Sequence, residues 1–231
     1  MKLSKKSQTV TAELAPVKQL LAENSQQQIM DQMYQFIELE HLYDSAIREV
    51  KTKLEILDSE FRTKYSYNPI HHIEDRLKSP QSMFKKLQRL NLPFSVESVR
   101  ENLFDIAGVR VICNYIEDIY QVADLLTAQD DVVLIKRKDY IANPKANGYR
   151  SLHLVIETPV YLSEKKELVN VEVQIRTIAM DFWASLEHEL KYKTDTEVSA
   201  DLAEQLRMCA ETIAQTDIQM QQIYRTLKEI K

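Results

Sequence analysis

The sequence predicts an α+β fold, a mixed β-sheet flanked by helices, with long helices at both ends of the chain. Three observations carry this. Val169, Val171, Val173 and Ile175 alternate strictly with Asn170, Glu172, Gln174 and Arg176, which is the period of a strand with one buried face. Apolar runs at Val109–Cys113 and Leu152–Ile156 supply further buried strands. Apolar residues at helical spacing between 25 and 62, and again from Ser199 onward, supply the terminal helices.

A chain of 231 residues suits one domain with helical additions, and 44% hydrophobic with 28% charged residues is ordinary for a globular protein. The net charge of -5 argues against a protein that coats nucleic acid electrostatically. Any phosphate site must therefore be concentrated. The first residues lack the apolar run of a signal peptide, and no stretch approaches the roughly 18 apolar residues of a membrane span. We expect a cytoplasmic protein without a membrane partner, its Cys113 and Cys209 both reduced core thiols.

Residues 1–24 read as a polar segment with a short helix near Val17–Ala22. From 25 to 62, Met30, Met33, Ile37, Ala46, Ile47, Val50, Leu54 and Leu57 fall near one face, giving one or two scaffold helices. Asn68-Pro69 ends that pattern. His71, His72, Glu74 and Asp75 superficially resemble an HD-type metal signature, but adjacent histidines do not readily face one ion, and the expectation is a solvated segment whose acids pair with Arg76 or Lys78.

Ser79-Pro80 opens a helix. Lys78, Ser82, Lys86 and Arg89 lie along one side, and Met83, Phe84, Leu87 and Leu90 largely along the other. A charged stripe is usually a solvated face, but no acid balances it between Arg76 and Arg89. A short helix over 95–103 leads to a buried strand with Asp105 at its entry, Gly108 at a close backbone approach and Arg110 as an isolated charge in need of a carboxylate or phosphate. A helix over 118–128 and a strand over 132–140 follow.

The loop 141–148 ends at Gly148, one of only two glycines in the chain, and lies in a stretch with Lys136, Arg137, Lys138, Lys145 and Arg150 around Tyr140 and Tyr149. Cations beside aromatic faces suit a phosphorylated ring compound, with Gly148 where backbone turns sharply against it. The strand 150–162 turns Leu152, Leu154 and Ile156 one way, and Ser151 and His153 the other. The polar side of 169–176 fits either an exposed edge or a catalytic wall. A helix over 177–192 is expected to bury Phe182, Trp183, Leu186 and Leu190. In the last helix, Leu202, Leu206, Cys209, Ile213, Met220, Ile223, Leu227 and Ile230 keep 4-3 spacing with a gap at Thr216, a coiled-coil-like seam for packing along the domain or against another subunit, which suggests a homo-oligomer.

Asp105 and Glu172 are the carboxylates best placed to hold a divalent cation, amid Arg76, Lys78, Lys86, Arg89, Arg110, Lys138 and Lys145. Positioning and charge neutralisation are most of what phosphoryl transfer needs. There is no GxxxxGK[ST], no GxGxxG and no HRD or DFG set. What remains is a metal-dependent transferase on a mixed sheet of nucleotidyltransferase-like type, or a non-catalytic nucleotide- or RNA-binding regulator on the same fold.

Residues 105–110 (DIAGVR), 139–153 (DYIANPKANGYRSLH) and 171–177 (VEVQIRT) closely resemble the synthetase domain of the RelA/SpoT family of alarmone enzymes, over about Arg76–Lys193. The resemblance implies a stand-alone small alarmone synthetase of the RelP/RelQ group, nearer RelP, with the synthetase domain over 25–195 and a C-terminal packing or oligomerisation helix over 196–231. It implies transfer of the ATP β,γ-pyrophosphate to the 3'-hydroxyl of GDP or GTP, releasing AMP, in the stringent response. It assigns Asp105 to Mg2+, and Glu172 to the 3'-hydroxyl and the metal. It assigns Arg76, Lys78, Ser82, Lys86, Arg89, Arg110 and Lys138 to ATP. On the acceptor side it stacks Tyr149 on guanine, with Lys145, Asn147, His153 and Gln174 around phosphates and sugar. Asp181 stands where the RelQ-like pattern has Asn. The family further implies a homotetramer.

Overall fold

In the computed structural model, the described residues are 26–193 and 199–230. The expected helix near Val17–Ala22 lies outside them. The chain runs α1 (Gln26–Lys64), β1 (Ile70–Leu77), α2 (Pro80–Arg89), α3 (Val96–Asn102), β2 (Ala107–Cys113), α4 (Ile116–Thr127), β3 (Val133–Asp139), β4 (Leu152–Tyr161), β5 (Lys166–Thr177), α5 (Ile178–Lys193) and α6 (Ala200–Glu229).

The strands form one mixed sheet in the order β1-β2-β5-β4-β3. Only the β2–β5 pair is parallel; β1–β2, β5–β4 and β4–β3 are antiparallel. The most strictly alternating strand is therefore central, and the edge explanation of its polar face falls away. Val109 and Val111 of β2, Leu152, Leu154 and Ile156 of β4, and Val171, Val173 and Ile175 of β5 are all buried on one side. Leu39, Leu42, Ala46, Val50 and Leu54 of α1 close over that side together with Ile119, Val122 and Leu126 of α4. The i, i+3, i+7 recurrence in α1 makes a continuous apolar stripe, and removing one such Leu costs about 2–5 kcal/mol. The opposite side of β2 and β5 stays polar, and α5 walls it.

Local signals set the helix starts. Ser79 Oγ accepts from Ser82 N at 3.3 Å with Pro80 in the first turn, Ser95 Oγ accepts from Ser98 N at 3.2 Å, and Ser199 Oγ accepts from Leu202 N at 3.3 Å. Asp118 caps α4 by accepting from Tyr115 N at 3.0 Å.

Several expectations are corrected. The segment HHIED is solvated as expected at His71, Glu74 and Asp75, but it forms most of β1, an edge strand. Its acids pair elsewhere than expected, Asp75 with Lys51 at 2.5 Å and Glu74 with Arg110 at 3.2 Å. Met30, Met33 and Ile37 are exposed, because α1 runs on past the sheet it covers. Leu90 is exposed at the end of α2. Ser151 is buried, its hydroxyl donating to Ile175 O at 3.2 Å. On α5 the buried face is Met180, Trp183, Ala184 and Glu187, whereas Phe182, Leu186 and Leu190 are 58%, 46% and 54% exposed. On α6 the 4-3 seam divides: Leu206 and Ile213 pack against Trp183, Ala184 and Ala210, whereas Leu202, Cys209, Met220, Ile223 and Leu227 are exposed, and Asp217 and Gln221 are buried beside Ala210.

The C-terminal half of α6 is seated by polar contacts. Thr177 Oγ1 donates to Asp217 Oδ2 at 2.5 Å, Gln221 exchanges hydrogen bonds with the Glu117 backbone and carboxylate at 3.0 and 2.9 Å, and Arg225 pairs with Glu117. Tyr224 stacks on Tyr115 at 4.2 Å between centroids. Hydrogen bonds that complete buried groups hold the helix here, and apolar spacing does not register them. No helix among the described residues is long and apolar enough to cross a membrane.

Candidate active site

The polar face of β5 aims Glu172, Gln174 and Arg176 to the side opposite the core, and register sets their neighbours. Gly108 lies opposite Glu172 and Arg110 opposite Gln174 in β2, while His153 lies opposite Gln174 in β4. His153 Nδ1 is 3.2 Å from Glu172 Oε1, and Gln174 Nε2 donates to Glu172 Oε2 at 2.9 Å. Burial raises the Glu172 carboxyl, but the hydrogen bond and charge of His153 and the bond from Gln174 outweigh it, leaving the carboxyl below its usual range. Glu172 is thus an ionised carboxylate with both oxygens oriented.

The chain of contacts continues outward. His153 Nε2 lies 2.8 Å from the Tyr149 hydroxyl, which accepts from Arg176 Nη2 at 2.6 Å. Arg176 also donates to Gln174 Oε1 at 2.9 Å and to Asp181 Oδ1 at 3.0 Å. At 5% exposure it is nearly buried, and its position shows it fixing the tyrosine. Sequence reasoning placed Arg176 on this wall but gave it no role, since only the loop's return over β5 brings Tyr149 to it. Glu187 was missed altogether. It accepts from Asn147 Nδ2 at 3.0 Å and ties the loop to α5.

Asp105 forms a second cluster. Lys78 Nζ donates to its Oδ2 at 2.6 Å, and Lys86 Nζ stands 2.7 Å from Oδ1. Burial raises the Asp105 carboxyl, and the two ammonium groups beside it more than reverse this. Oδ1 thus faces one ammonium and Oδ2 the other, so both carboxylate oxygens are ion-paired. Among the described residues no group of three or more His, Cys, Asp or Glu side chains could hold a metal ion. Asp105 and Glu172, near enough for the charge of one to act on the other, are two hard oxygen donors of the kind that suit a cation taking the rest of its shell from phosphate and water, which is the habit of Mg2+ rather than of zinc.

A cavity of about 530 Å3 lies along this face, lined by Arg76, Arg110, Tyr149, Glu172, Gln174 and Arg176 among others. Arg110 is not the buried strand charge the sequence implied. It faces the cavity between Glu74 at 3.2 Å and Asp181 at 3.5 Å, and its Nε, like that of Arg176, has no partner. Asp181 therefore neutralises two guanidinium groups. Ser82 is partly committed, as acceptor of a 2.9 Å bond from Ser79 Oγ. Arg89, at the end of α2, is exposed, and Lys138, exposed on β3, lies directly opposite His153 of the Glu172 cluster. Lys145 Nζ sits 4.6 and 4.5 Å from the ring centroids of Tyr140 and Tyr149, so a cation already covers the platform's face.

Gly148 turns at φ +86° as expected, but the surface it approaches is α6. A Cβ there would lie 2.5 Å from Ala210 Cβ. Gly108 approaches β1, where a Cβ would meet Arg76 O at 3.4 Å.

Residues 75–197 match the family model described as a region found in RelA/SpoT proteins. The chain is 45% identical over 179 residues to the GTP pyrophosphokinase YwaC of Bacillus subtilis, covering 78% of this chain and 85% of that protein. It is 34% identical over 188 residues to the GTP pyrophosphokinase YjbM of the same organism, covering 81% and 87%. Among solved structures it resembles small alarmone synthetase 1 from Bacillus subtilis bound to its product pppGpp, with a TM-score of 0.78, 32% identity and coverage of 83% and 97%. Small alarmone synthetase 2 from the same organism matches with a TM-score of 0.76, 42% identity and coverage of 83% and 98%.

Proposed function

The chain belongs to the RelA/SpoT family and is a (p)ppGpp synthetase of the small alarmone synthetase kind; we propose that Glu172 and Asp105 carry the transfer of the ATP β,γ-pyrophosphate to the 3'-hydroxyl of GDP or GTP, with AMP leaving. The observation that supports this reading most is Glu172, held ionised and oriented by His153 and Gln174 on the wall of the cavity that Arg76 and Arg110 also line.

In this reading the triphosphate lies against Arg76, Arg110, Lys78 and Lys86, whose charges meet the negative charge that develops on the transferred group. The lysines exchange Asp105 for phosphate as ATP binds. Asp105 and Glu172 would hold Mg2+, which when bound supplies further neutralisation of the phosphate oxygens. The guanine base stacks on Tyr149 as Lys145 swings from the ring to the acceptor's phosphates, and Asn147, Gln174 and His153 orient the sugar. Glu172 accepts a hydrogen bond from the 3'-hydroxyl and takes its proton as the bond to phosphorus forms. A carboxyl held below its usual range is a weak base, so alignment is the larger part of its contribution.

The outward apolar residues of α6, Met220, Ile223 and Leu227, and of α1, Met30, Met33 and Ile37, support a homo-oligomer, for which the tetramer is our reading. Light scattering of the purified protein checks it. Incubation with ATP, GDP and Mg2+ tests the chemistry: AMP and a guanosine tetraphosphate should appear together, and pyrophosphate in place of AMP would overturn the transfer proposed. Omitting Mg2+ or adding EDTA should stop turnover.

A further inference from the structure

The contacts of Gly148 and Arg150 lead beyond the site itself. Gly148 has no room for a side chain, because Ala210 Cβ stands 2.5 Å from where its Cβ would be and Arg207 O 3.6 Å away. Arg150 then ties both sides together. Its Nη1 donates to Gly148 O at 2.9 Å and Ala210 O at 3.4 Å, while Nη2 donates to Glu211 Oε2 at 3.1 Å. One guanidinium thus bridges the loop's own carbonyl, a helix carbonyl and a helix carboxylate. Trp183 Nε1 donates to Leu206 O at 3.0 Å and fixes the same turn of α6 against α5. Asn147, held by Glu187 of α5, accepts from Tyr149 N at 3.3 Å, so the loop is gripped on both flanks of Gly148.

We propose that the Leu206–Glu211 turn of α6 sets the position of the acceptor loop, with Glu211 and Ala210 as positioning residues that act through Arg150 and Gly148 on Tyr149. The proposal rests on the reading of Lys145–Tyr149 as the guanine nucleotide's cradle. Tyr149 directly follows Gly148, so a displacement of the loop moves the stacking ring with it. On the ATP side, by contrast, Lys78 and Lys86 of the β1–α2 region are held by Asp105 at the entry to β2, remote in the chain from α6.

Magnitudes separate positioning from stability. The Glu211 side chain is 46% exposed, and an ion pair that wet contributes little to folding. Its geometric effect is larger, because an ångström of misplacement at a reacting centre can cost about a hundredfold in rate. Glu211→Gln removes the charge with little change of shape, and Ala210→Val pushes directly on Gly148.

The test is steady-state kinetics of the full chain, varying ATP and GDP separately, with thermal melts and amide exchange of Lys145–Tyr149 without nucleotide. In both variants the KM for GDP should rise at least about fivefold, with the KM for ATP unchanged and loop exchange faster than in the unmodified protein. A GDP KM that does not move, or two KM values that rise together with a lowered melting temperature, would overturn the proposal in favour of a merely structural contact. If the unmodified protein makes no AMP from ATP and GDP, the assigned reaction fails instead, and the exchange rates still decide whether α6 holds the loop.

Discussion

Arg176 Nη2 donates to the Tyr149 hydroxyl at 2.6 Å while its Nη1 holds Asp181 at 3.0 Å, so one nearly buried guanidinium links α5 to Tyr149 across the central strand. Tyr149 is thereby held before any nucleotide arrives.

Replacing Arg176 with Met should act on folding and acceptor binding together. It leaves Asp181 with Arg110 at 3.5 Å and frees the tyrosine hydroxyl. Because Asp181 keeps that partner, the loss is of Arg176's own buried hydrogen bonds, each worth about 1.5–3 kcal/mol when the donor is charged, and the urea midpoint should fall. The GDP KM should rise more than the ATP KM.

Glu172→Gln should lower kcat by about 10²–10⁴-fold and leave the melting temperature close to that of the unmodified protein, because the amide fills the same space between His153 and Gln174. Loss of stability on the same scale as loss of rate would speak against a catalytic role.

His153→Ala makes a prediction with a sign. Burial and the neighbouring Asp105 charge raise the Glu172 carboxyl, and His153 is foremost among the groups that lower it. Without the imidazole the raising influences win. Glu172 then ionises at higher pH, and the acid limb of the kcat/KM profile should move upward, not disappear.

Lys78→Met should weaken ATP binding by about tenfold or more through loss of a charge-assisted contact, whereas Arg89→Met, at an exposed position outside both clusters, should cost much less. Equal effects on the ATP KM would return Arg89 to the donor site where the sequence stripe placed it.

Asp217 is raised above the usual aspartate range by burial, only partly offset by the Thr177 hydroxyl. A carboxyl raised in the folded state favours folding while protonated, and that advantage is lost as pH rises through its folded value. Asp217→Asn, which can still accept from Thr177, should therefore raise the melting temperature at pH 7. The gain should shrink as pH falls and vanish below the ordinary aspartate range, where the carboxyl is protonated in the folded and unfolded chain alike.

The sequence by itself determined the elements with a strong period and the residues confined to one face of a strand. Strict alternation in 169–176 identified the wall carrying Glu172 and Gln174, because a pleated strand leaves no other choice of side. The Ser79-Pro80 signal located α2, and the placement of Asp105 at a strand entry needed only local pattern. Tertiary structure alone decided matters that depend on what lies across a gap. It made β5 central and β1 a strand, since a half-polar edge has almost no apolar period to read. It set Asp217, Gln221 and Glu187 into the buried faces of α5 and α6 beside Trp183, Leu206 and Ile213, through hydrogen bonds that side-chain spacing does not register. It also gave Gly148 its reason. A positive φ was legible in the residue type, but the neighbour that forbids a side chain is Ala210, 62 positions later in the chain and brought close only by the packing of α6 on α5.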